Sequence, residues 1–140
     1  MSAGKVFFDT NVLLYLYSGA DLAKQAHAQR LALEHVGRIV VSTQVVQEFY
    51  TAGRRKIGMP QSELEEAVQE LLVLPLVMTG PPEIRAAIRF EQRYRISFWD
   101  ALVVQAAESS GAAVLFSEDL PDGQTYGNVR VANPLKLATQ

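Results

Sequence analysis

Short, wholly apolar runs alternate with helical patterns along the chain, and this alternation restricts the fold more than any other feature. KVFF, residues 5 to 8, reads as a short buried strand, and VLLYLY after Asn11 begins a helical segment. Residues 21 to 35 are rich in Ala, Leu and Gln with helical periodicity. RIVVS, residues 38 to 42, is a second buried strand, and it runs directly into QVVQEFYTAGRRK, where Val45, Val46, Phe49 and Tyr50 repeat on one helical face. Gly58 and Pro60 stop that helix, and Ser62 is read as the cap of the next, with Glu65 completing a capping box. Leu64, Val68, Leu71 and Leu72 form its apolar stripe. VLPLVMT, residues 73 to 79, is a strand interrupted by Pro75, which assigns it to a sheet edge. PPEIRAAIRFEQRY reads as a helix with prolines at its mouth, and ISFWDALVVQAAESSG as another, capped by Ser97 and closed by Gly111. AVLFSED is a buried strand running into polar residues, and NVRVANP is the last short strand. Strand and helix in this order imply a mostly parallel sheet with helices on both faces. Residues 1 to 140 show no repeat, linker or low-complexity tail and are expected to form one α/β domain.

Composition removes several classes of function. With 49% apolar and 20% charged residues, the chain is a compact globule rather than a disordered tail. No apolar run approaches the ~20 residues of a membrane span, and the start MSAGKVFFDT lacks the order of a signal peptide, so no membrane partner and a cytoplasmic address are expected. The absence of cysteine excludes disulfides, thiolate catalysis and sulfur-built zinc sites. Thirteen basic residues against fifteen acidic ones leave a formal charge of −2, which argues against a protein gripping nucleic acid over a broad surface. An enzyme that meets phosphate through metal ions and a local basic patch remains compatible with it.

The acids fall where parallel sheets hold ligands, beyond the carboxyl ends of strands. Asp9 follows the first strand, and Glu118 and Asp119 follow AVLFS. Glu48 lies on the helix leaving the strand that ends at Ser42, and Asp100 lies in the first turn of the helix opened by Ser97. Singly, each has an ordinary reading: Asp9 and Asn11 as helix caps, Asp100 as a capping-box acid, Glu48 as a solvated helix position, Asp119 as part of a polar turn. Bulky residues, FF before Asp9 and FW before Asp100, anchor both of these acids close to the core. Carboxylates gathered together raise each other's pKa unless a cation neutralises them. A hard divalent ion with oxygen ligands, magnesium or manganese rather than zinc, resolves that conflict.

FFDTNVLLYL, VVSTQVVQEFY, ISFWDALVVQAA and VLFSEDLPDG, in this order and spacing, resemble the PIN domain, and more narrowly the VapC-like ribonuclease toxins of bacterial toxin–antitoxin pairs. The likeness runs from about Lys5 to Pro134. It implies a three-layer α/β/α PIN-like domain with a central, mostly parallel sheet and an added helical hairpin. It implies that Asp9, Glu48, Asp100 and Asp119 hold one or two Mg2+ or Mn2+ ions, with Thr10 or Asn11, close to the first aspartate, steadying the site. Alternation along an extended segment aims only one of Glu118 and Asp119 inward. The family pattern of a hydroxyl residue, a variable residue and an aspartate selects Asp119 through Ser117, with a water reached through Glu118 as the alternative.

The activity implied is a metal-dependent endoribonuclease acting on tRNA, rRNA or mRNA, with water attacking in line on phosphorus to leave a 5′ phosphate and a 3′ hydroxyl. Only His27 and His35 are present, and both fall on or beside a generic helical stretch, so a histidine-pair ribonuclease is disfavoured. Arg85, Arg89 and Arg93 recur every fourth residue, and Arg54, Arg55 and Lys56 end the Glu48 helix; these are the candidates for RNA-backbone contact. The second cluster also fits favourable charge at a helix carboxyl end. The resemblance implies a homodimer and a cognate antitoxin whose C-terminal segment folds into a groove, for which Val45 through Leu72 is the best candidate surface. Rivals are an aspartyl-nucleophile phosphatase, disfavoured by Asn11 where a second aspartate is wanted, a PIN-type nuclease acting on DNA, and a scaffold that binds RNA or protein without cutting.

Overall fold

The computed structural model describes residues 4–137. Its strands are β1 (Lys5–Phe8), β2 (Ile39–Ser42), β3 (Leu76–Val77), β4 (Ala112–Phe116), β5 (Thr125–Tyr126) and β6 (Val129–Ala132). The helices are α1 (Thr10–Tyr17), α2 (Leu22–Glu34), α3 (Thr43–Ala52), α4 (Gln61–Leu72), α5 (Pro81–Tyr94), α6 (Phe98–Ser109) and α7 (Pro134–Leu137), with a π-helical turn, Gly53–Ile57, directly after α3.

The six strands form one sheet in the order β3-β2-β1-β4-β6-β5. All neighbours are parallel except β5 and β6, which pair antiparallel with Tyr126 opposite Val129. At the centre, Phe7 of β1 stands between Val40 of β2 and Leu115 of β4. Val6, Phe7 and Phe8 are all buried although successive side chains point to opposite faces, so both faces of β1 are covered. The chain builds outward on one side, from β1 to β2 to β3, and then crosses to the other side of β1 with β4. The junction of β1 and β4 is therefore the topological switch point, and a crevice opens beyond the strand ends there.

Helix α1 packs against α2 and α3, and α3 against α4, while α6 packs against α5 and lies on β2 and β4. Ala101 through Ala107 of α6 are buried without interruption, so the middle of α6 is enclosed on all sides while its ends reach the surface. Its small residue Ala101 meets Ala87 of α5 in a satellite apolar cluster. Among the described residues, no helix is long and apolar enough to cross a membrane.

Three expected details are corrected. Helix α4 starts at Gln61 with Pro60 in the cap position and no side-chain cap, so Ser62 lies inside the first turn; Gln61 itself donates to Glu65. Proline's fixed φ already sets the helical entry, so the serine cap is not needed. The edge strand shrinks to Leu76–Val77, after Pro75, whose carbonyl accepts from Val41. Tyr126 and its neighbour form a short strand, β5, not anticipated from the sequence, because two residues carry no readable periodicity.

Candidate active site

Three helices begin at the end of the sheet where the crevice opens, and each brings an acid or its neighbour. Asp9 caps α1, with Oδ1 accepting from the Thr10 backbone N–H at 2.7 Å. Its Oδ2 accepts from Ser117 Oγ at 2.7 Å, so the carboxylate bridges the ends of β1 and β4. Asp9 is buried, and its pKa is pushed up to about 6. Burial is the main cause; the bonds from Ser117 and Thr10 oppose it, and the charges of Asp119 and Glu48 add to it.

Thr10 Oγ1 donates to Glu48 Oε1 at 2.8 Å, which fixes the α3 glutamate beside the α1 cap. Asn11 Nδ2 reaches both oxygens of Asp119 at 3.4 Å. Ser117 Oγ also accepts from the Asp119 backbone N–H at 3.2 Å, so one hydroxyl organises two of the acids. Asp119 is exposed as a whole residue, yet its carboxyl is raised by partial withdrawal from water and then by the charges of Glu118 and Asp100, with Lys56 opposing. Asp100 sits in the first turn of α6, where Ser97 Oγ accepts its backbone N–H at 3.0 Å. Its carboxylate receives no hydrogen bond among the described residues. The positive ends of α1 and α6 favour the negative charge held there.

Glu118 turns away. Its Oε1 accepts from the Tyr15 hydroxyl at 2.5 Å; burial first, and then this bond, hold the phenol well above its ordinary pKa. In the bend that follows β4, Asp119 thus lines the cleft while Glu118 meets Tyr15. The cleft, of ≈ 450 Å³, is lined by Asp9, Glu48, Asp100 and Asp119, and by Thr10 and Asn11. Arg55 and Lys56 also line it, whereas Arg54 leans on Tyr50. Arg89 and Arg93 line a different groove, with Glu108 and Gln105, and Arg85 is exposed on the same helix. His35 Nδ1 lies 2.8 Å from the Leu31 carbonyl oxygen, with its ring edge-on to Phe116, and His27 lies against Arg30; neither lines the cleft.

Several lining residues were not singled out from sequence as site residues, Gln44 and Trp99 among them. Gln44 precedes Glu48 by four and shares its face of α3, and Trp99 directly precedes Asp100. Spacing alone carried the only signal for Gln44. The FW pair was expected to anchor Asp100 in the core, but Trp99 is 64% exposed; Phe98 is the half-buried member of the pair.

The donor set is chemically that of a hard divalent cation: carboxylate, hydroxyl and amide oxygens, with no sulfur and no imidazole. The mutual repulsion that helps raise the Asp9 and Asp119 carboxyls is the kind a cation relieves. As the side chains stand, no three acidic or histidine groups among the described residues enclose an ion-sized point. Each of Asp9, Glu48 and Asp119 is instead held by a neutral donor of the chain.

The family model for the PIN domain matches residues 6–120. No curated protein matches the sequence. Among solved structures, the chain is similar to VapC20 of Mycobacterium tuberculosis, described as a sarcin–ricin loop cleaving toxin, at 22% identity and a TM-score of 0.69, over 82% of this chain and 92% of that one. It is similar to a chain of a toxin–antitoxin complex from Klebsiella pneumoniae at 16% identity and a TM-score of 0.72, over 93% and 98%. A chain of DNA-bound VapBC from Salmonella typhimurium is similar at 14% identity and a TM-score of 0.71, over 94% and 99%. These identities speak for a shared fold, and the family match, extending over most of the chain, places the protein in the PIN domain family.

Proposed function

We propose that the protein is a metal-dependent endoribonuclease of the toxin type, neutralised by a cognate antitoxin. The observation that supports this reading is the gathering of Asp9, Glu48, Asp100 and Asp119, from four distant segments, in one cleft that also takes Arg55 and Lys56. Their oxygens would hold Mg2+ or Mn2+, one or two ions, which would activate a water and offset charge on the phosphoryl oxygens.

The chain's own groups do the rest. Ser117 and the Thr10 N–H fix both oxygens of Asp9, Thr10 Oγ1 fixes Glu48, and Asn11 restrains Asp119. Arg55 and Lys56 bind the RNA backbone and set its register across the carboxylates. Water oxygen bonds to phosphorus as the P–O3′ bond breaks, the attacking water loses a proton, and the departing 3′ oxygen gains one. The products carry a 5′ phosphate and a 3′ hydroxyl.

The similarity to chains of toxin–antitoxin complexes supports an antitoxin partner; its seat on the α3–α4 surface and a homodimeric toxin belong to the same proposal. The test is cleavage of end-labelled structured RNA and matching DNA by the purified chain, free of antitoxin, with and without Mg2+ or Mn2+. Metal-dependent RNA cuts with 5′ phosphates, reduced by at least about 100-fold in Asp9→Asn, are expected. Cleavage that survives EDTA or D9N sinks the mechanism, and cutting of DNA alone moves the substrate class.

A further inference from the structure

The one tryptophan of the chain lies where a folded protein gains little from it. Trp99 is 64% exposed, touching Phe98 edge-on at 5.4 Å between ring centroids, and it lines the carboxylate cleft immediately before Asp100. Its carbonyl accepts from Gln44 Nε2 at 3.2 Å, which clips the first turn of α6 to the first turn of α3. Gln44 is 9% exposed, and its Oε1 is a buried oxygen with no hydrogen-bond partner among the described residues. With Nε2 committed to a carbonyl, the amide cannot flip without setting two oxygens against each other. An orphaned buried acceptor destabilises the fold, so an apolar residue of the same size would serve the core better than this glutamine.

We infer that Trp99 is the stacking platform for an unpaired base of the RNA beside the cut phosphate, and that Gln44 is the positioning residue that holds it there. This rests on the ribonuclease reading and narrows it: a base that stacks on an indole must be out of a duplex, so the substrate is single-stranded or looped at the cut. Two features of the same cleft favour a nucleotide over a peptide as the occupant. The exposed Trp99 lines the cleft together with Asp100, one of the acids that would face the reacting phosphate, and Arg55 and Lys56 supply cations for the backbone.

Because Trp99 is the sole tryptophan, its fluorescence reports the platform directly. In magnesium buffer, the D9N chain is titrated with end-labelled hexaribonucleotides and with a fully paired RNA hairpin, following quenching and anisotropy together. Saturable quenching by the single strands and none by the duplex is expected. In the same background Trp99→Ala should weaken binding about 5- to 100-fold, with Trp99→Phe between the two. Gln44→Met, which removes clip and orphan together, should leave folding stability equal or higher yet reduce the quenching. In the chain with Asp9 intact, W99A should raise KM far more than it lowers kcat. Anisotropy without quenching, or W99A that binds and cuts RNA as well as the parent, overturns the platform while leaving the ribonuclease reading standing. W99A that loses only antitoxin affinity overturns it in favour of a protein contact, and unchanged quenching in Q44M overturns the role of Gln44. Absence of both RNA binding and metal-dependent cleavage overturns the inference and the reading beneath it.

Discussion

Asp9 is the residue at which stability and the proposed activity oppose each other. Its carboxyl titrates at about 6 in the fold against 3.8 for an ordinary aspartate. The folded state therefore holds this proton more tightly than the unfolded one, the reverse of a salt-bridged acid. The group costs nothing below pH 3.8, and its destabilisation grows as pH rises toward 6, reaching roughly 3 kcal/mol above that in the absence of metal. The amide of Asp9→Asn carries no charge to desolvate, and Ser117 can rotate to accept from it. In EDTA at pH 7, D9N should thus melt several degrees above the parent, and the gap should close as pH falls to 4. A scan of Tm against pH for both chains checks this, and a gap that stays constant with pH removes the cause. Mg2+ should raise the parent's Tm at pH 7 and leave D9N nearly unmoved. At this scale the sequence was legible for acids that follow apolar runs, since Asp9, Glu48, Asp100 and Asp119 all reach one cleft. The choice between Glu118 and Asp119 needed Tyr15, which lies 103 residues away from Glu118 in sequence and has no sequence mark as its partner.

The element that most affects the basic rim is the π-helical turn after α3. GRRKI looks like continuing helix, and the stop at Gly58 was readable because that residue adopts a left-handed φ of +68°. The extra residue in the turn was not, because it depends on how α4 packs. Gly53 has ordinary helical dihedrals, so strain does not explain it. A Cβ there would come within 2.7 Å of Leu64 Cδ1, and Leu64 is completely buried. Alanine would gain up to about 1 kcal/mol of helix propensity but force an overpacked contact costing about 1–3 kcal/mol. Gly53→Ala should therefore lower the urea midpoint by a net ~1–2 kcal/mol equivalent at unchanged m-value. It should also weaken RNA binding, because Arg55 and Lys56 ride on the same turn and line the cleft. A neutral or stabilised G53A would mean that α4 yields freely. The corresponding sequence signal for α5 and α6 was local and complete: prolines at the mouth of one, and Ser97 capping the other.

Across the molecule, charge is segregated in a way that neither net charge nor helical spacing discloses. A formal charge of −2 predicts weak attraction to RNA, and the stripe of Arg85, Arg89 and Arg93 looks from its spacing like the stronger basic patch. Strand order decides otherwise. Because β4 crosses to the far side of β1, the cleft opens between α1, α3 and α6, bringing the turn after α3 to its rim, while Arg89 and Arg93 line a groove with Glu108 that shares no residue with it. Long-range pairing of this kind has no local signature, which is why the alternation of strands and helices was readable but the location of the basic rim was not. The consequence is measurable as counterion release. If Arg55 and Lys56 each neutralise one phosphate, Arg55→Gln with Lys56→Gln should flatten the slope of log K against log salt by about 1.4 for single-stranded RNA, at ~0.7 per contact. The double change Arg89→Gln, Arg93→Gln carries the same loss of net charge and should leave the slope within error of the parent. Equal flattening by both pairs would mean that RNA responds to the overall field, and flattening by the second pair alone would move the path of the RNA backbone onto α5.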